Sequence, residues 1–533
     1  VNGARGRWRP WAAAVAVAAL VAAWNAWRRH GQVFASLDDE SLLLPIALRS
    51  ADLATYAGDR WLAATARVFS VPYSWLAGAL LPAFDDPVVA LRWLSLPFHA
   101  LFLAGTWHAA ERIAGRAAAW AALFVCAAPP LDAMVFQPGS ALPRDLVFAL
   151  VPWFVVGADA TLARPRLAFR LFLLLGAVAN LHPLTALHAA VWLGAICLLR
   201  DPSARGLLAT GVRALGFAAG AAPYVLQYLS RPAAPGAVDE TVYAWRLLSM
   251  GGESFGEWTL RMESLLWIAA AAAVAVLAAR REGTGASRWF VAGGAAALVL
   301  AALGPTIGRF VPALRGVQIA RFERIAAWCA FVAAAAGGAA LWRARRFVAV
   351  AAAAALVAVS VAGPRVLGGV PRRGPVARVG RFIDRRAGVP FEPPAPAGLA
   401  ERKDASDPSA PEVRGAFLAV CRAAREATPE DALFLVPPEG WGAFRLYARR
   451  GVAVTRKEGG AALSFLGASG MAWFRDYAEA VRVYGSGDET AWRGLAQTWG
   501  ASFAVVDASA HAPPGWPVVF EAAPFRVLAV PPK

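Results

Sequence analysis

The chain is 533 residues long, 58% hydrophobic and only 17% charged, with a mean hydropathy of +0.48. Soluble domains carry about 25% charged residues, so this composition argues against a large soluble enzyme and for a polytopic α-helical membrane protein. The formal charge of +17 is almost all arginine, the only lysines being Lys403, Lys457 and Lys533; many of the arginines cluster in short loops between apolar segments and no basic soluble module stands out, which argues against nucleic acid as a partner.

In chain order, the first element is a basic start followed by the apolar run 10–27. It has the outline of a signal peptide, but no small-x-small cleavage site precedes Trp24–Arg29, so it reads as an uncleaved first membrane helix. The ~20-residue rule gives about eleven spans, near 10–27, 88–110, 116–131, 144–162, 167–181, 184–199, 206–229, 264–280, 288–304, 324–342 and 346–362. One set of loops is short and basic: Arg5/Arg7/Arg9, Arg112/Arg116, Arg164/Arg166, Arg200/Arg205, Arg280/Arg281/Arg288 and Arg343/Arg345/Arg346. These fall on alternate sides of the spans and are expected in the cytoplasm by the positive-inside rule. The longer loops 28–87, 132–143, 230–263 and 305–323 hold the acids and are expected outside. This puts the N-terminus inside and the C-terminal region outside.

The long first outer loop, 28–87, is expected to carry a helix over 41–57 and a second apolar stretch over 61–82. Both read as interfacial, with Trp61, Tyr73 and Trp75 at headgroup depth; the second is alternatively a span. The expected organisation is thus a transmembrane domain over 1–363, a Pro/Arg/Gly-rich linker over 364–411 and a small α/β domain over 412–533. In that last domain the helix EVRGAFLAVCRAAREA leads into the strand ALFLVPP. A helix around GAFRLYAR, a strand VAVTR and helical stretches near 471–483 and 489–499 follow. The strand SFAVVDA and a hairpin-like pair, PVVFEA and FRVLAV, end the domain. Cys126, Cys197, Cys329 and Cys421 stand singly and read as buried thiols with no zinc spacing.

Four places carry possible chemistry. Asp38, Asp39 and Glu40 form an acidic run shortly after an apolar helix and just before another apolar run. They are either a solvated loop end, a general base toward an acceptor hydroxyl or amine, or oxygen ligands for a divalent cation. Arg144 and Asp145 open a membrane helix at its expected outer end, where the dipole favours the acid and an arginine suits a phosphate; a local ion pair is the alternative. In NLHPLTALH, Asn180, His182 and His188 fall where two apolar segments meet, and polar groups at that depth usually face an interior or a cavity. His182 there suits a phosphate, a proton shuttle or a metal, or else the two histidines are packing groups. Finally Arg309, Arg315, Arg321, Glu323 and Arg324 enter a late helix from the outer side, against the positive-inside trend. They call for anionic headgroups, a lipid-linked phosphate or the acids of the first loop, unless they pair among themselves. WGAFRLYARR and MAWFRDYAEA, in the last domain, interleave aromatics with arginine and read as amphipathic helices with a solvated charged face, or as a sugar or headgroup surface.

The layout, with the acidic Asp38-Asp39-Glu40 at the start of a long first loop and the stretches RDLVFALVPW, NLHPLTALH and ASFAVVD…VVFEAAPFRVLAV, resembles the GT-C superfamily of integral-membrane glycosyltransferases. That group contains protein O-mannosyltransferases and lipid A aminoarabinose transferases. The resemblance implies sugar transfer from a polyprenyl-phosphate donor to a cell-envelope acceptor at the outer face of a bacterial inner membrane. In it Asp38 or Asp39 deprotonates the acceptor or holds a cation. Arg144, His182 and Arg321 stabilise the leaving phosphate, and Glu40, Asp145, Asn180 and Glu323 complete the substrate site. The first loop lacks the longer acidic and aromatic signature of the best-known members. A non-catalytic carrier or assembly protein for envelope lipid or polysaccharide is the competing reading, in which the same arginines grip headgroups; a transporter is disfavoured by the absence of an inverted repeat.

Overall fold

A computed structural model describes residues 2–28, 39–84, 86–128, 131–137, 139–161, 164–230, 288–311, 317–345, 412–507 and 515–532, with isolated residues between them (238, 239, 242, 269, 272, 273, 347, 410, 512 and 513). The described part is mostly helical. Its helices are α1 (Asn2–Arg28), α2 (Glu40–Ala51), α3 (Arg60–Ala66), α4 (Val71–Leu80), α5 (Pro87–Ala114), α6 (Arg116–Ala127), α7 (Asp132–Val135), α8 (Pro143–Thr161) and α9 (Pro165–Ala179). There follow α10 (Pro183–Arg200), α11 (Ala204–Leu229), α12 (Arg288–Phe310), α13 (Glu323–Arg343), α14 (Arg414–Ala427), α15 (Ala443–Ala448), α16 (Gly459–Phe465), α17 (Ala468–Ser486) and α18 (Glu489–Trp499).

The chain divides into two compact units. One comprises Val1–His30, Leu91–Leu229 and Gly256–Phe391; the other comprises Gly31–Ala90, Ser230–Phe255 and Glu392–Lys533. Among the described residues four helices are long and apolar enough to cross a bilayer: Pro10–Arg28, Pro87–Ala114, Pro183–Arg200 and Glu323–Arg343. The expected spans near 264–280 and 346–362 and the expected linker fall almost wholly outside the described residues. At the other expected positions the chain is helical, and α6 and α9 are shorter than a span of ~20 residues; among the described residues only the four helices meet the length and composition of a span.

In the first, helical unit, small residues let α9 and α11 approach closely. A Cβ at Gly176 would meet the carbonyl of Phe217, and one at Gly220 the carbonyl of Leu173. The core is aromatic: Trp328 lies edge-on to Trp192 and Phe290, and its Nε1 donates to Thr106 Oγ1 at 3.0 Å. Charge marks one end of this unit. Arg112 at the end of α5 and Arg200 at the end of α10 both reach Asp159 near the end of α8, at 3.5 and 3.1 Å. The opposite end of α8 carries Asp145, which meets the start of α13. The ends of α5, α8 and α10 thus gather on one side of the unit, and the starts of α8 and α13 meet on the other.

The second unit is built on a five-stranded sheet in the order β2-β1-β3-β5-β4, with β1 (Leu433–Leu435), β2 (Gly451–Val452), β3 (Phe503–Asp507), β4 (Val518–Ala522) and β5 (Phe525–Ala529). β1 runs parallel to β2 and β3, while β5 is antiparallel to β3 and β4. Helices cover the faces, as the alternation of apolar strands and amphipathic helices requires. The expected strand VAVTR is shorter than anticipated, because the chain turns into a 3-10 helix at Arg456–Glu458; α16 is an element the sequence reading did not contain.

The described part of the first loop belongs to the sheet unit. The apolar residues of α2, among them Leu42, Leu44, Ile46 and Leu48, are buried. Trp61 and Tyr73, expected at headgroup depth, are 2% exposed, and Trp61 donates from Nε1 to Asp476 at 3.1 Å; Trp75 alone of the three is exposed. The apolar face expected on a bilayer is thus spent on protein, and the 61–82 stretch is broken into α3, α4 and a 3-10 turn that cannot span.

Candidate functional site

In the helical unit, three of the four sequence motifs meet. Asp145, in the first turn of α8, is completely buried. Its Oδ1 accepts from Arg324 Nη1 at 2.6 Å, and its Oδ2 accepts from Ser140 Oγ at 2.8 Å and faces Arg144 Nε at 3.8 Å. Arg144 also donates from Nη2 to Gln137 Oε1 at 2.9 Å. A buried carboxylate needs such partners, since desolvation alone would neutralise it. His182 lies within electrostatic reach of Arg321, Arg144 and Arg324. Arg321 sits on the 3-10 turn Ile319–Phe322 that leads into α13, and Glu323 opens that helix where the dipole favours an acid. The turn is set by Gln318, whose φ of +48° places it in the left-handed region, and by the carbonyl of Val317, which accepts from His188 Nε2 at 2.8 Å. Arg321, Arg144 and Arg324 thus all bear on the His182 ring.

His182 caps α10: its Nδ1 accepts the backbone N–H of Thr185 at 3.2 Å. That role fixes the neutral tautomer with the proton on Nε2, leaving a donor on the ring. Asn180 is engaged differently from the expected substrate contact. Pro223 interrupts α11, and the Asn180 amide fills the opened ladder. Its Nδ2 donates to Gly220 O at 3.0 Å and its Oδ1 accepts from Tyr224 N at 2.9 Å. These two groups are an ordinary i, i+4 helix pair, so Asn180 splints a kink.

In the sheet unit, the acidic run resolves in part. Asp38 lies outside the described residues. Glu40 is completely buried in the first turn of α2. Asp39 stands at the N-cap of α2 yet makes no side-chain cap bond; its Oδ1 accepts instead from Lys457 Nζ at 2.8 Å. The Asp39 side chain keeps 29% exposure. The sequence left a divalent cation open as a partner for these acids; at Asp39 the charge supplied by the fold is the ammonium of Lys457. Among the described residues no group of three or more His, Cys, Asp or Glu side chains gathers as a metal site.

Lys457 rests on a rigid base that the sequence reading missed. It sits in the 3-10 turn after β2, closed by a capping box in which Glu458 Oε2 accepts from Thr455 N at 2.9 Å. Glu458 is in turn held by Arg445, which is fully buried and also grips Asp59 of the first loop. Opposing carboxylates hold the guanidinium charged despite burial, which on its own would lower its pKa. Arg445 belongs to WGAFRLYARR, whose charged face was expected in solvent; the fold buries it because Asp59 and Glu458 compensate it. The signals available were the T-x-x-E box at Thr455–Glu458 and Asp59 just before the apolar α3, where its Oδ1 accepts from Leu62 N at 2.8 Å. On the neighbouring surface Tyr477 donates to Glu439 Oε1 at 2.8 Å, and Glu439 faces Arg456 at 3.8 Å.

Residues 415–480 match a family described as a domain of unknown function, DUF6798. No curated protein matches in sequence. Among solved structures, the chain is similar to the oligosaccharyltransferase of Archaeoglobus fulgidus in its apo form, at 12% identity and a TM-score of 0.46, covering 93% of this chain and 69% of that one. It is also similar to the archaeal oligosaccharyltransferase AglB from the same organism in complex with an inhibitory peptide and a dolichol-phosphate, at 12% identity and a TM-score of 0.47, with the same coverage.

Proposed function

We propose that the chain is an integral-membrane glycosyltransferase that moves a sugar from a polyprenyl-phosphate donor to a cell-envelope acceptor at the outer face of a bacterial inner membrane. The observation that carries this reading is that Arg144 and Arg324 meet one buried acid, Asp145, and that both, with Arg321, lie within electrostatic reach of His182, in the unit that holds the candidate spans. Three guanidiniums and a ring N–H donor at the ends of apolar helices suit a lipid-linked phosphate far better than a neutral lipid.

The chemistry assigned is substitution at the anomeric carbon. The acceptor oxygen forms the new C–O bond as the bond to the phosphate oxygen breaks; the phosphate leaves with the bonding pair, and a general base takes the acceptor proton. Arg321 and His182 stabilise charge on the departing phosphate, and Arg144 and Arg324 hold Asp145 and share that field. Asn180 and Glu323 act by fixing the helices from which these groups project.

Binding of undecaprenyl phosphate, measured by native mass spectrometry from detergent, tests the reading. Loss of one charge-assisted phosphate contact in Arg321→Gln is expected to weaken binding about tenfold. Equal retention by wild type and Arg321→Gln would remove the phosphate from this cluster.

A further inference from the structure

We infer that His188 is a positioning residue for Arg321: it holds the turn that carries this guanidinium. The inference rests on the phosphate reading above. Arg144 and Arg324 are both placed by a side-chain partner, the Asp145 carboxylate. Arg321 differs. Among the described residues no carboxylate pairs with its guanidinium, so its place is set by the backbone beneath it.

That backbone is the turn over residues 317–322. Arg321 N donates to Gln318 O at 2.9 Å, and Gln318 has a φ of +48°, in the region that a residue with a Cβ rarely adopts. Such a conformation persists where the surroundings hold it. The hold comes from α10. His188, only 3% exposed, donates from Nε2 to Val317 O at 2.8 Å. A carbonyl can only accept, so this nitrogen carries a proton. The Val317 carbonyl lies in the peptide plane that leads into Gln318, so fixing it restrains the φ of Gln318. The same ring packs on Phe322 at a centroid distance of 4.6 Å. One buried side chain therefore touches both ends of the turn, with Arg321 between them. His182, the other proposed phosphate contact, caps the N-terminus of the same helix. Through His188 both groups are referred to α10. Without the Nε2 proton the turn loses its tie, and Arg321 loses the orientation on which its phosphate contact depends.

Binding of undecaprenyl phosphate to the full-length protein, with undecaprenol as the uncharged control, is read by native mass spectrometry. His188→Phe keeps a ring against Phe322 and removes the donor; it is expected to weaken binding about fivefold. His188→Gln, whose amide reaches the same place, is expected to recover most of the loss. In an Arg321→Gln background His188→Phe should cost nothing further, because it acts only through Arg321. A monodisperse profile and an unchanged unfolding temperature separate these effects from misfolding. If His188→Phe does not fold, the pair His188→Gln and His188→Asn carries the test, since only the longer amide reaches Val317 O. Wild-type binding by His188→Phe, equal losses in the variants with and without the donor, or losses that multiply in the double variant would overturn the role of His188 while the phosphate reading stands. If the wild type holds undecaprenyl phosphate no better than undecaprenol, or Arg321→Gln binds like wild type, the phosphate reading falls and the role of His188 falls with it.

Discussion

Arg445 and Asp59 stand 386 residues apart in the chain and meet as a fully buried pair, Nε to Oδ2 at 2.5 Å and Nη2 to Oδ1 at 3.3 Å. The contact ties the first loop to the sheet, and Glu458 makes it a triad. Tyr56, itself buried, donates to the carbonyl of Arg445 at 2.8 Å and closes the same junction.

Removing the cation leaves two buried carboxylates without their partner. Arg445→Leu is therefore expected to destabilise this unit by about 3–5 kcal/mol. Thermal unfolding and limited proteolysis should show the first loop released. An Arg445→Leu variant that unfolds at the wild-type temperature would contradict the triad's role.

Asp145 holds the corresponding position in the helical unit. Asp145→Ala removes the carboxylate partner of Arg324 and Arg144 and is expected to cost about 3–5 kcal/mol, whereas Ser140→Ala removes one hydrogen bond and costs about 1 kcal/mol. Detergent-phase unfolding temperatures of the two variants check the order.

The Asn180 splint predicts a coupling. Asn180→Ala leaves Gly220 O and Tyr224 N without the amide and is expected to cost about 1–3 kcal/mol. Pro223→Ala lets α11 close its own ladder, so the double variant should lose less than the sum of the two single losses. Additive losses would show that the amide and the kink are independent.

Asp476 gives a pH signature. Burial raises its pKa above 3.8, against the opposing effects of Arg60 and the Trp61 hydrogen bond. The folded form therefore binds the proton more tightly than the unfolded form, and stability falls as pH rises from about 4 through the folded pKa. Asp476→Asn should flatten that decline in unfolding temperature; an unchanged slope would assign it to other groups.

Charged residues inside apolar segments are conspicuous, because burying them is costly without a partner. That is why Arg144, Asp145, His182 and Arg321 stood out as candidates. Asp59, Arg445 and Lys457 sit in ordinary polar stretches, where nothing local distinguishes a buried charge from a solvated one; their partners lie hundreds of residues away. The apolar face of α2 was legible as a face but not as a protein contact, since periodicity alone does not separate a lipid partner from a protein one. Asn180 misled for a related reason: the proline it serves is on another helix.

The most direct test of the central claim is mass spectrometry of the lipids that co-purify with wild type and with Arg321→Gln. The account predicts polyprenyl phosphate or its sugar-loaded form on the wild type and its depletion from Arg321→Gln. Bulk phospholipid alone on both proteins would contradict it.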